Sequence, residues 1–259
     1  MIINFNGWVN KIPFIKKIYS RILNIILNSR EEFIVNFKNI RLLVNIKDPI
    51  YKIIFYRNEY EEKQIKFLSV WIKKNKPNIF IDVGANFGIY SLRISKLFKM
   101  LKVIAVEPVL TTFNKLKINI KVNNLEERIK TYNVGLSNTN GLKKMVALKK
   151  RNYIQSGGFS FNVPKRKLTN EEITQYHKTL KGDEVFKFKK KKLVIKIDVE
   201  GYENKVLLGI KNLLKNNKIL LQIEIFDSNF KKINKFILEK KFRLINKFNK
   251  TFDYFYINY

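Results

Sequence analysis

The segment Ile79–Tyr90, IFIDVGANFGIY, constrains this chain more than any other, because an apolar run ends in Asp82 and is followed at once by Gly84, Asn86 and Gly88. The pattern predicts a strand that enters a tight turn and then a helix. Glycine suits such a turn because a residue without Cβ lets the backbone bend sharply and come close to a ligand. Next, Lys102–Pro108, KVIAVEP, predicts a second strand with Glu107 at its end. An acidic side chain there accepts hydrogen bonds from both hydroxyls of a ribose, each charge-assisted bond contributing about 1.5–3 kcal/mol. The two segments together point to a nucleoside site.

The order D-V-G-A-N-F-G differs from the G-x-G-x-x-G of dinucleotide sites, where the first helix opens onto a pyrophosphate. The carboxylate of Asp82 would repel a pyrophosphate, whereas it suits the ammonium group of S-adenosylmethionine. A methyl-donor site is therefore expected, and a plain strand with a chance glycine-rich turn is the ordinary alternative.

A length of 259 residues suits one principal α/β domain with additions. The absence of Cys excludes disulfides, thiolate zinc sites and a cysteine nucleophile, and the single histidine, His177, argues against a histidine metal cluster. A cysteine-free chain fits a reducing cytoplasm, the expected location, and no apolar h-region before a small-residue cleavage site indicates secretion. Lys plus Arg total 52 against 21 acidic residues, a net charge of +31. Such a balance suggests nucleic acid or an anionic membrane surface as a partner. Against this, the basic residues are spread along the chain with abundant Ile and Asn, as AT-rich coding sequence produces, so a solvated surface is the favoured reading. No RNP, KH or zinc-finger pattern occurs. No segment reaches the roughly 18–20 apolar residues of a membrane span. Trp8–Leu27 has Trp8, Ile12, Ile15, Tyr19, Ile22 and Ile26 at helical spacing with lysines between them. Such a helix is able to make a peripheral contact with an anionic bilayer, although covering an apolar face of its own domain is the commoner use.

Residues 1–58 are read as this amphipathic helix followed by a small β-rich element, Glu31–Tyr56, and residues 59–259 as the principal domain. A helix is expected over Glu61–Lys74. Strands at 79–83, 102–107, 129–134, 193–198 and 219–226 alternate with helices near 87–98, 110–123, 203–215 and 229–240, which implies a parallel sheet with right-handed crossovers. Two aromatic-rich strands at 242–247 and 252–258 form a closing hairpin, so the last strand is expected to run antiparallel. About 135–192 reads as an insertion of weak periodicity that covers the site, and its Gly157 and Gly158 are expected among acceptor contacts.

Leu193–Glu203, LVIKIDVEGYE, sets Asp198, Glu200 and Glu203 at a strand end, a costly grouping unless the carboxylates meet a cation or do chemistry. Glu203 is assigned to the first turn of the following helix, where the dipole favours an anion. Asp198 shares its rim of the sheet with Asp82 and Glu107 and is assigned to the reaction centre. Glu224, at the end of the next strand, is placed near it. Asp198, Glu200 and Glu224 offer oxygens either to a divalent cation or to an acceptor by hydrogen bonding, and no metal is assigned.

The segments DVGANFGIYS, VEP, YNVGLS, SGGFSF, TLKGDE and IKIDVEGYE, in this order and spacing, resemble the FkbM-type family of S-adenosylmethionine-dependent methyltransferases, from about Glu59 to the C-terminus. The resemblance implies a Rossmann-like class I methyltransferase fold, an α/β architecture whose mostly parallel sheet has one antiparallel strand and helices on both faces. It also implies O-methylation, commonly of sugar or polyketide hydroxyls. By position, Asp82, Gly84, Asn86 and Gly88 would contact the methionine part of the donor and Glu107 the ribose. Asn133, Val134 and Gly135 would lie along the adenine. Tyr60–Glu62 resembles the family's Tyr-Glu-Pro, with Glu61 facing the donor and Glu62 in place of the proline. Lys181 replaces the family's usual Asp after Thr-Leu, with Asp183 close by.

Methyl transfer needs an aligned acceptor oxygen and a group that takes its proton. Asp198 is the candidate base. His177, in the covering insertion, is the other candidate, although a lone histidine in a polar loop is more often a bystander. Two rival readings keep the scaffold: an RNA methyltransferase, and a non-enzymatic basic protein that binds nucleic acid or a membrane surface. Intact Asp82, Glu107 and Asp198 argue against the second.

Overall fold

The computed structural model describes residues 2–4, 32–45, 47–150, 153–154, 156–164 and 166–259, so the expected helix at Trp8–Leu27 lies outside the described residues. The chain opens with β1 (Ile2–Asn4), β2 (Glu32–Phe37) and β3 (Ile40–Asn45), a three-stranded sheet in that order. β2 and β3 form an antiparallel hairpin across Lys38 and Asn39, both at positive φ, as a two-residue hairpin turn requires. Period-2 alternation turns Phe33, Val35 and Phe37 into the core.

Pro49–Arg57 is a helix, α1, where the sequence suggested more strand. Asp48 and Pro49 start it: the Asp48 side chain accepts from Ile50 N at 2.9 Å and the proline ring occupies the first turn, where its missing N–H costs nothing. Helix α2 (Glu62–Asn75) follows and buries Ile65, Leu68 and Ile72 on one face.

The central layer consists of β4 (Ile79–Val83), α3 (Ile89–Leu97), β5 (Lys102–Val106), α4 (Leu110–Val122) and β6 (Ile129–Tyr132). The insertion then forms β7 (Gly135–Ser137), β8 (Gly141–Lys150), β9 (Tyr153–Ile154), β10 (Glu172–Lys181) and the short α5 (Gly182–Val185). The second half adds β11 (Lys192–Ile197), α6 (Glu203–Gly209), α7 (Lys211–Asn216), β12 (Lys218–Glu224), α8 (Asp227–Glu239), β13 (Arg243–Phe248) and β14 (Asp253–Ile257). Seven strands make one sheet in the order β13-β14-β12-β11-β4-β5-β6. β14 runs antiparallel to both of its neighbours, and the remaining pairs are parallel.

Both faces of this sheet are covered, which is why its strands read as near-continuous apolar runs. Phe80, Val103, Val194, Leu220 and Phe255 face α2, α3, α4 and the N-terminal hairpin. Ile81, Ile104, Ile195, Leu221 and Tyr256 face α6, α7 and α8. Each fully buried large side chain contributes about 1.5–3 kcal/mol relative to exposure.

Three expectations are corrected. The insertion, read as a segment of weak periodicity, is a second sheet in the order β7-β10-β8-β9. The alternation of β8 is masked because Lys143 and Lys149 share the face of Met145 and Ala147 while the exposed Leu142 and Leu148 lie on the other; Met145 and Ala147 turn inward onto Val109 and Phe159. The single helix expected at 203–215 is two, broken at Ile210, whose φ of −118° and ψ of 24° are not helical; beside the break, Gly209 packs so close to β7 that a Cβ there would sit 1.9 Å from Ser137 O. β6 ends at Tyr132, so Asn133 and Val134 follow the strand and do not belong to it. No helix among the described residues is long and apolar enough to cross a membrane.

Candidate active site

The carboxyl ends of β4, β5, β11 and β12 converge on one cavity of about 370 Å³. Volumes of this order hold small-molecule ligands. The first glycine of the turn after β4 has a steric reason: Gly84 has φ +80°, and a Cβ on it would lie 1.8 Å from Asp198 O. The ends of β4 and β11 are held at this approach by Asp198 N donating to Val83 O at 3.0 Å.

Asp82 is buried, and its Oδ2 accepts from Ser91 N at 3.1 Å and from Ser91 Oγ at 2.7 Å, so this carboxyl is engaged with the first turn of α3. Burial raises its pKa, against the pull of Lys196 and Ser91. The loop that follows fixes Glu107. Asn86 N donates to one of its oxygens at 3.0 Å and Val109 N to the other at 2.9 Å. Burial nevertheless pushes the Glu107 carboxyl up to about 7, against these two amides.

The other wall centres on Lys196, which the sequence reading passed over. It sits in β11 opposite Asp82 of β4 and Gln222 of β12, on one face of the sheet. Its side chain is 5 % exposed, its Nζ lies 2.7 Å from Asp198 Oδ2, and it rests 4.6 Å from the centre of the Tyr90 ring, a cation–π distance. Burial alone would lower the lysine pKa, yet the charges of Asp198, Glu61 and Asp82 raise it above its ordinary value, so the ammonium form persists. Asp198 shows the complementary balance: burial would raise it, and Lys196 together with a hydrogen bond from Glu224 holds it below the usual carboxylate range. Glu224 carries the proton of this carboxyl pair, pushed up to about 10 by burial and by the charge on Asp198. Glu200 is pushed up to about 8 by burial, Asp198 and Glu203.

Glu61, at the start of α2, accepts from Tyr90 Oη at 2.6 Å. Burial raises it to about 7, with Lys196 opposing. A buried polar chain continues behind: Gln222 Nε2 donates to Tyr90 Oη at 3.1 Å and to Asp253 Oδ1 at 2.9 Å.

Of the residues expected at the site, Glu61, Asp82, Gly84, Asn86, Gly88, Glu107, Val134, Gly135, Gly157, Asp198, Glu200 and Glu224 all line this cavity. Three others do not. Asn133 points away and donates its side-chain amide to Glu107 O at 2.9 Å and Pro108 O at 3.0 Å, which props the turn after β5. Gly158 ends the short 3-10 turn Ser156–Gly158, behind Gly157. His177 is off the cavity wall: because the insertion is a sheet, alternation along β10 sets it opposite Lys143 and edge-on to Phe159, at 6.3 Å between ring centres. Burial lowers its pKa, with a hydrogen bond to the Pro108 backbone opposing. Asp183 caps α7 instead, accepting from Asn212 N and Leu213 N at 2.9 Å each. No group of three or more His, Cys, Asp or Glu among the described residues is arranged to hold a metal. The positive charge beside Asp198 comes from Lys196.

The sequence did carry a signal for Lys196, a charge inside the apolar run LVIKI, which burial permits only beside a carboxylate. It carried none for the contact of Ser156 Oγ with Asp48 Oδ2 at 2.6 Å, which joins the insertion to the start of α1 across 108 positions.

The profile of the FkbM methyltransferase domain matches residues 82–244. A search of curated protein sequences finds no match. Among solved structures, a protein provisionally assigned as a caffeoyl-CoA O-methyltransferase from Staphylococcus aureus is 9 % identical at a TM-score of 0.49, with 93 % of this chain and 99 % of that one covered. An S-adenosylmethionine-dependent methyltransferase from Agrobacterium tumefaciens is 8 % identical at a TM-score of 0.47, with 88 % and 68 % covered. An rRNA methylase from Streptococcus thermophilus is 12 % identical at 0.44, with 83 % and 97 % covered. The profile match spans more than half of the chain and contains both the Gly84 turn and the carboxyl-bearing ends of β11 and β12, and the chain belongs to the FkbM methyltransferase domain family.

Proposed function

We propose that this protein is an S-adenosylmethionine-dependent O-methyltransferase whose acceptor is a hydroxyl of a sugar or comparable small metabolite. The observation that supports it is the single cavity in which the Gly84–Gly88 turn and Glu107 face Asp198, Lys196 and Glu224. The residues present fit the donor. Asn86 at φ +51° and the glycines on either side bring backbone to the cavity surface. Glu107 is already oriented by two amides and keeps lone pairs for ribose hydroxyls. Val134 and Gly135 supply an apolar strip for a base.

When bound, S-adenosylmethionine supplies an activated methyl group on a positively charged sulfur. Asp198 takes the proton of the attacking hydroxyl as the new C–O bond forms. Lys196 keeps Asp198 ionised for this step and, being held protonated, is not itself the base. Glu224 orients Asp198 through their shared hydrogen bond. Met145, Phe159 and Phe161 of the insertion and Ile50 and Ile53 of α1 wall the cavity and keep water from the reacting oxygen.

Calorimetry tests this directly. Wild type should bind S-adenosylmethionine, and Glu107→Gln should weaken binding by about 1.5–3 kcal/mol. Asp198→Asn should keep binding and lose methyl transfer to a panel of glycosides. Unchanged affinity in Glu107→Gln would remove the ribose assignment, and a folded wild type that binds no donor would end the reading. An RNA acceptor is the second reading, favoured by the net charge of +31. Incorporation of labelled methyl into RNA, with none into glycosides, would establish it.

A further inference from the structure

The charge of the cavity opposes the charge of the chain. Against a net +31 overall, the lining holds the carboxyls of Asp48, Glu61, Asp82, Glu107, Asp198, Glu200 and Glu224 and one cation, Lys196. That lysine is committed to Asp198 at 2.7 Å. Asp82 and Glu107 are held by hydrogen-bond donors of the chain itself. Glu200 and Glu224 differ, since neither has an ion-pair partner among the described residues. The wall they form with Asp198 abuts the donor turn, because Gly84 touches the Asp198 backbone so closely that no Cβ fits between them.

We propose that this wall reads the charge on the donor's sulfur: Asp198, Glu200 and Glu224 hold the sulfonium of S-adenosylmethionine in preference to the neutral thioether of S-adenosylhomocysteine, so that methyl transfer itself loosens the spent cofactor. The inference rests on the methyl-donor reading above. A cation beside half-buried carboxyls stabilises their ionised forms, and a neutral sulfur does not. Both ligands share the ribose, adenine and amino-acid contacts, so the difference between them isolates the sulfur. Burial and the charge on Asp198 push Glu200 up to about 8, while Glu224 keeps the proton it shares with Asp198. Donor binding near pH 7.5 should therefore draw a proton from Glu200 that product binding does not.

The experiment compares three probes on the intact chain by calorimetry: S-adenosylmethionine, sinefungin, in which a carbon bearing an ammonium replaces the methylated sulfur, and S-adenosylhomocysteine. Both cations should bind about tenfold more tightly than the neutral product, the scale of one charge interacting across a partly buried site. In Glu224→Gln and Glu200→Gln the gap should narrow, mainly through weaker binding of the cations. Repetition in buffers of different ionisation enthalpy should show proton release with the two cations only. Product binding as tight as the donor in wild type, or a gap untouched in both variants, would overturn the proposal. The wild-type ratio needs no variant to fold. If none of the three binds to folded wild type, the methyl-donor reading itself fails, an outcome distinct from equal binding of all three.

Discussion

Glu203 is a single side chain that departs from what its position suggests. It opens α6, where the helix dipole favours a carboxylate, and its Oε1 accepts from Gly201 N at 2.9 Å. Yet it is fully buried, its Oε2 has no hydrogen-bond partner among the described residues, and burial pushes it from 4.5 up to about 7. A folded-state pKa above the unfolded value means that the protonated form favours the fold. The contribution is complete below about pH 4.5 and is lost as pH rises through about 7. Glu107 adds to the same trend, also by burial to about 7. Thermal unfolding followed from pH 5 to pH 8 should therefore show stability that falls as the pH rises. Glu203→Gln, a neutral isostere, should flatten the profile and raise Tm at pH 8. A profile that rises with pH would show that these carboxyls are ionised in the folded protein.

At the level of elements, two asparagines one helical turn apart, Asn119 on α4 and Asn123 at its C-cap, tie the N-terminal hairpin to this helix, and Asn119 also reaches the Gly84–Gly88 turn. Asn123 exchanges hydrogen bonds with the Arg41 backbone, accepting from N at 2.9 Å and donating to O at 2.7 Å. Asn119 accepts from Leu43 N at 2.6 Å and donates to Phe87 O at 2.8 Å. It is fully buried, so Asn119→Ala strands the β3 amide and the Phe87 carbonyl. Loss of about 1–3 kcal/mol is expected for each group left unsatisfied, measured by denaturant unfolding. Phe87 lies in the Gly84–Gly88 turn, so donor affinity should fall as well, although Asn119 is not on the cavity wall. Full retention of affinity would show that the turn holds its shape without the hairpin.

The whole molecule separates its charges, with a strongly basic chain around an acidic cavity. Polyanions attach to basic surfaces by releasing counterions, in a strongly salt-dependent way. Heparin at low salt should bind the protein yet leave the affinity for S-adenosylmethionine unchanged. Competition between them, read by calorimetry, would mean that the basic surface extends to the cavity mouth.

Much of this arrangement was legible before any coordinates. Strand periodicity and glycine spacing located the Gly84 turn, Glu107 and Asp198, because strand ends and tight turns are local events governed by a few neighbouring residues. The same local logic failed where the determinants are distant. Lysines on the inward parity of β8 and exposed leucines on the other hid its alternation, and with it the placement of His177 away from the cavity. The family resemblance set Asn133 along the adenine, whereas the fold sets its amide against the Pro108 carbonyl. Sequence alone determined which segments carry the candidate chemistry. Only the tertiary structure decided the protonation of that chemistry, because burial and the meeting of Lys196, Asp198 and Glu224 across neighbouring parallel strands depend on contacts that no stretch of chain contains by itself.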